Sequence, residues 1–220
     1  DISFKDFDIL SEQDKAEAVA LLQRYDQLEK QDGCQSDFIS FIKHMWPDFI
    51  EGRHHKIIAD KFNKIADGKL KRLIVCLPPR HSKSEFASTF FPAWMMGRRG
   101  NLKIIQTTHT AELAVRFGRK VRNIIDSTEY QHIFPELKLQ ADNKSAGRWT
   151  SNQEGEFFAA GVGGAITGRG ADLLIIDDPH SEQDALSPKA LESAYEWYTS
   201  GPRQRLQPGG IIVIVMTRWS

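Results

Sequence analysis

Two stretches of this 220-residue chain carry residue types suited to a nucleoside triphosphate. The first is "PPRHSKSE", residues 78–85, set between an apolar run and a helix-like one. A loop that binds phosphate needs consecutive backbone N–H groups turned inward, a helix N-terminus, a cation and a hydroxyl. Arg80, His81, Ser82, Lys83, Ser84 and Glu85 are the candidate nucleotide-binding residues. Lys83 would reach the β- and γ-phosphates, Ser84 would ligate Mg2+, and Arg80 adds a forked cation. Leu77 and Ser82 stand where the pattern G-x-x-x-x-G-K-[ST] has glycine. Pro78 and Pro79 lack N–H groups, but their fixed φ stiffens the entry to the loop. Taken alone, the loop reads equally well as a basic turn.

The second stretch is "LLIIDDPHS", an apolar strand that ends in two carboxylates about ninety residues downstream. Asp177 at the strand tip can hold Mg2+ through water, and Asp178 can act as general base on the attacking water. An acidic strand end is common by itself. It gains meaning from the Lys-Ser loop before it, because open α/β sheets bind ligands at the carboxyl ends of their strands. A third strand end, "VMTRWS", offers Thr217 to sense the γ-phosphate and Arg218 to transmit the hydrolysis state. The alternative there is an ordinary strand end.

The elements that must position these groups follow from apolar periodicity. Helices are expected over 11–31, 36–46 and 54–66, the first capped by Ser11 and broken by "DGCQS", the third with Ile57, Ile58, Phe62 and Ile65 on one face. Strands 72–77, 102–108, 156–160, 172–177 and 211–216 then alternate with helices 83–97, 110–126 and 187–200. Apolar β-runs alternating with helices indicate a mostly parallel sheet covered on both faces.

Formal net charge is zero, yet the charges are segregated. Residues 1–51 hold 5 Lys+Arg against 12 Asp+Glu, residues 52–125 hold 16 against 4, and the remainder 8 against 13. The basic excess falls around Lys83, which suggests a polyanionic partner: nucleotide, nucleic acid or both. Arg116, Arg119 and Lys120 share a helix face with Arg122 nearby; this face could grip DNA, contact a neighbouring subunit or be solvated. Arg98 and Arg99 are similarly open. No run of about 18 apolar residues exists, and no secretory apolar region follows "DISFKDFD". Cys34 and Cys76 are not in a metal-ligand spacing; Cys76, inside an apolar strand, is expected to be a buried reduced thiol in a reducing, cytosolic setting.

The phosphate loop, "GVGGAITGRGADLLIIDDPHS" and "VMTRW" occur in order from about His54 to Trp219, and together resemble the ATPase domain of the large terminase subunit of tailed bacteriophages. The family usually shows Pro-Pro-Arg-x-Gly-Lys-Ser and often Asp-Glu; here Ser82 and Asp178 depart from that. The resemblance implies a RecA/ASCE-like P-loop core over 51–220, a small helical segment over 1–50, and no nuclease domain in this chain. It implies ATP and Mg2+ as cofactors, and a host-cell cytoplasmic packaging motor without membrane contact. The implied partners are double-stranded DNA, portal protein, the small terminase subunit and further copies in a ring, pentameric in the family. It places His54 or His55 near the adenine. It makes Arg169, in the segment with Gly161, Gly163, Gly164, Gly168 and Gly170, a finger toward a neighbouring subunit; a role in cis or pairing with Asp172 are the alternatives. Other readings are a helicase-like NTPase and a non-catalytic nucleotide-binding module.

Overall fold

A computed structural model describes residues 11–166 and 168–218, with the backbone alone for 141–144. Strands β1 (Arg72–Cys76), β2 (Lys103–Thr108), β3 (Leu139–Lys144), β4 (Arg148–Ser151), β5 (Glu156–Gly161), β6 (Ala171–Asp177) and β7 (Leu206–Met216) form one seven-stranded sheet in the order β1-β7-β6-β2-β5-β4-β3. The pairings from β1 through to β5 are parallel, while β4 and β3 extend that edge antiparallel. The fold is therefore α/β with a mostly parallel sheet flanked by helices. β7 lies between β1, which feeds the Lys83 loop, and β6, which ends at Asp177.

Side-chain alternation along the strands divides the core. Leu73, Val75, Ile104, Leu173, Ile175, Val213 and Val215 face one side with Phe38, Phe41, Phe62, Phe86, Phe91 and Trp94. These aromatic residues come from α2 (Phe38–Met45), α3 (Arg53–Ala66) and α4, whose first part Glu85–Phe90 is π-helical and whose remainder Phe91–Arg98 is α-helical. Helices α5 (Ala111–Ile125) and α6 (Thr128–Ile133) complete that layer through Val121, Ile125 and Tyr130. On the other side Ile105, Leu174, Ile176 and Ile212 meet Ile166 of the glycine-rich crossover and Trp197 of α7 (Pro188–Ser200). β6 is thus apolar on both faces, as a central parallel strand requires.

Several expectations need correction. The first helix does not stop before "DGCQS"; α1 runs Glu12–Ser36 through Gly33. Burial of Cys34, and the Trp94 indole N–H donating to its carbonyl at 2.8 Å, outweigh the modest helical penalty of glycine. Asp37 then ends α1 and caps α2, its carboxylate accepting from the Ser40 N–H. Ile57 is exposed, leaving Ile58, Phe62 and Ile65 as the buried face of α3. Cys76 is exposed, not buried: β1 is an edge strand, and Arg72, Ile74 and Cys76 alternate onto a face that is exposed among the described residues. Strands β3 and β4 and helix α6 were not expected; they are short, and the strands are polar on alternate positions. No described helix is long and apolar enough to cross a membrane.

Candidate active site

The chain leaves β1 at Cys76 and turns through Pro78 and Pro79 into the loop. Arg80 and Ser82 both take left-handed backbone, at φ 63° and 59°. Ser82 is the residue at the second glycine position of the phosphate-loop pattern, so the backbone there keeps the geometry that glycine adopts without strain. Lys83 and Ser84 are already helical. Their amides lie in the first turn of α4, which has no intrahelical acceptor and carries the positive end of the helix dipole.

Strand β6 delivers the two carboxylates to this helix start. The Lys83 ammonium, in a residue 8% exposed, donates to Asp178 Oδ2 at 2.7 Å. The other oxygen of Asp178 accepts from the Thr217 backbone N–H at 2.7 Å. Asp178 itself is left-handed at φ 40°, and its N–H is tied to Val215 at the end of β7. Asp177 is 2% exposed. Ser84 Oγ donates to its Oδ1 at 3.0 Å, and Ser88 Oγ donates to its Oδ2 at 2.7 Å. Burial pushes the Asp177 carboxyl up to about 6; the Ser88 and Ser84 hydrogen bonds oppose that rise, Asp178 adds to it, and Lys83 opposes it.

Lys83, Ser84, Asp177, Asp178 and Thr217 therefore come together at the carboxyl ends of β1, β7 and β6. Ser84 and Asp177 offer a hydroxyl and a carboxylate on adjoining elements. This hard, all-oxygen pair fits Mg2+, which commonly takes one or two protein oxygens and keeps several waters. A cavity of about 470 Å3 lined by Gln31, Gln35, Arg98, Phe134, Glu136 and Gln153 lies away from the loop. At the loop, Lys83 holds the Asp178 carboxylate, while Ser84 and Ser88 hold that of Asp177.

The remaining candidates are distributed as follows. His55 is buried beside the loop, its ring stacked on Phe86 at 4.9 Å. Its Nδ1 accepts from the Gly52 N–H, so the neutral ring carries its proton on Nε2. Burial, then His54, hold its pKa down. His54 lies 5.6 Å, ring to ring, from His81 of the loop. Arg80 is exposed. Glu85 turns toward α5 and pairs with Lys120, so that lysine is not a free cation for DNA. Arg116 and Arg119 are exposed. Arg98 lies over the Trp94 ring and pairs with Asp67.

Arg169 sits at the other end of the sheet. It pairs with Glu156 and lies over the Phe158 ring at 4.3 Å. Glu156 is opposite Lys103 at the start of β2, whereas Asp177 is opposite Thr108 at its end. The alternative that paired Arg169 with Asp172 is therefore corrected: Asp172 accepts from the Lys103 N–H and pairs with Arg99. Arg218 is exposed, and Trp219 and Ser220 lie outside the described residues, as does Thr167 of the glycine-rich motif. Ser88 belongs to no motif and was not anticipated. Its only sequence signal is a second hydroxyl four residues after Ser84, on the same helix face.

No protein-family model matches the chain, and no curated protein matches it. Among solved structures it is similar to the crystal structure of the HK97 bacteriophage large terminase, with 12% identity and a TM-score of 0.49. That similarity covers 78% of this chain and 34% of the other, so the chain spans about a third of that protein's length.

Proposed function

We propose that the chain is an ATP hydrolase acting with Mg2+, and that residues 51–220 form its catalytic core. The observation that carries this reading is the meeting of Lys83, Ser84, Asp177 and Asp178 at one helix start. The triphosphate lies on the loop amides and the N-terminus of α4. Lys83 leaves Asp178 for the β- and γ-phosphates. Ser84 and Asp177 would hold Mg2+, which when bound would supply positive charge to the phosphates. Asp178, freed of its cation and still held by the Thr217 N–H, orients the attacking water and accepts its proton. His55 or the neighbouring His54 lies near the adenine.

The three ordered motifs extend the proposal to a viral packaging motor that moves double-stranded DNA into a procapsid in the host cytoplasm. Exposed Arg116 and Arg119 are available for phosphate contact, and portal, small terminase subunit and further copies of the chain are the proposed partners. Arg169, remote from its own Lys83, is proposed to act in trans.

A non-catalytic binding module would share the same loop, so Asp178→Asn is the deciding variant. ATP affinity, measured by calorimetry, should persist while phosphate release falls on the order of a hundredfold or more, as expected for loss of a general base. Unchanged turnover would remove Asp178 from the reaction.

A further inference from the structure

Ser88 is 0% exposed and holds one oxygen of the carboxylate that Ser84 holds by the other. It lies one turn deeper in α4 than Ser84, inside the π-helical turn Glu85–Phe90. Pro92 explains that turn: it has no N–H for the Ser88 carbonyl, and its ring crowds that carbonyl. The helix widens instead, and the Phe91 N–H bonds back to the Phe86 carbonyl. Ser84 at the mouth and Ser88 behind it thus fix both oxygens of Asp177, leaving the carboxylate a single orientation.

We propose that Ser88 is a positioning residue for the metal-binding carboxylate: it holds Asp177 with Oδ1 turned to Ser84, ready for Mg2+ accompanying a nucleotide. This rests on the Mg2+-nucleotide reading of the site. A buried carboxylate freed on one side swings or draws in another donor, and outer hydrogen bonds of this kind are typically worth 10- to 100-fold in metal affinity.

The test is Ser88→Ala in the full chain, read by calorimetric binding of a non-hydrolysable ATP analogue, once in EDTA and once across a Mg2+ titration. The expected result is a Mg2+ half-saturation raised about 10- to 100-fold, with metal-free analogue affinity unchanged. Should the alanine variant fail to fold, Ser88→Cys, of similar volume and with only a weak donor, is judged by the same criterion. A Mg2+ requirement within threefold of wild type overturns the proposal. So does an equal loss of affinity with and without metal, which marks a purely structural role. Wild-type binding that ignores Mg2+ refutes the underlying site reading, and the role of Ser88 with it.

Discussion

Lys83 and Asp178 are 95 residues apart in sequence, and their side chains meet at 2.7 Å. In this arrangement the proposed phosphate-binding cation and the proposed base neutralise each other. On the proposed function nucleotide separates them, so its binding and release of the proposed base are one event. Lys83→Ala removes both the contact to Asp178 and the proposed phosphate cation. Hydrogen bonds to charged groups are worth roughly 1.5–3 kcal/mol, so ATP affinity should fall about tenfold or more. Equilibrium binding of a fluorescent ATP analogue measures this; wild-type affinity would show that the loop does not hold the phosphates.

Ser82 occupies left-handed backbone at φ 59°. Side chains resist that region by about 1–2 kcal/mol, β-branched ones most, while glycine adds unfolded-state entropy that offsets part of the gain. Ser82→Gly should therefore match or slightly exceed wild-type stability. Ser82→Val should fall roughly 2 kcal/mol below the glycine variant. Urea unfolding of the three proteins gives the order, and a valine variant as stable as the glycine one would contradict the loop torsion.

The parts of the fold that were legible in the sequence are those set by local pattern. The β6 run is apolar on both faces, so its strand and its acidic tip were evident, and the proline pair and Lys-Ser marked the loop. What depends on distant neighbours was not legible. Exposure of Cys76 follows from an edge strand with one bare face. The partner of Arg169 is chosen by strand register, Glu156 rather than Asp172. Ser88 is an ordinary helical serine until Asp177 is placed beside it. The short strands β3 and β4 carry too few apolar residues for their period to show.

Asp177 provides a pH test on the metal-free protein. Its folded pKa is raised to about 6 from the ordinary 3.8, with burial the main cause. Between those values the folded state binds more protons than the unfolded one, so stability falls as pH rises from about 4 to 6. The full effect is on the order of 3 kcal/mol. Asp177→Asn lacks this term. Its stability relative to wild type should climb across that window and level off above it, as followed by unfolding in EDTA. Parallel pH curves for the two proteins would place Asp177 in solvent rather than in the core.

The two cysteines should separate chemically. Cys76 is exposed on the outer face of β1, whereas Cys34 is 6% exposed, with a pKa raised mainly by burial. Under native conditions a thiol reagent should label one cysteine per chain, and peptide mapping should find it at Cys76. Labelling of Cys34 at a similar rate would mean that α1 opens readily from the body.

Arg169 distinguishes action within one chain from action between chains. It lies at the end of the strands remote from Lys83, tied to Glu156 and Phe158. In dilute protein, Arg169→Ala should leave ATP affinity within about twofold, because the guanidinium cannot reach its own phosphate loop across the sheet. If it serves a neighbour, wild-type turnover per chain should rise with protein concentration, and the variant should lose that rise; arginines supplied in trans can be worth roughly a thousandfold or more. Thermal unfolding of the variant controls for loss of the Glu156 pair. Equal loss of turnover at every concentration, with the fold intact, would rule out action between chains.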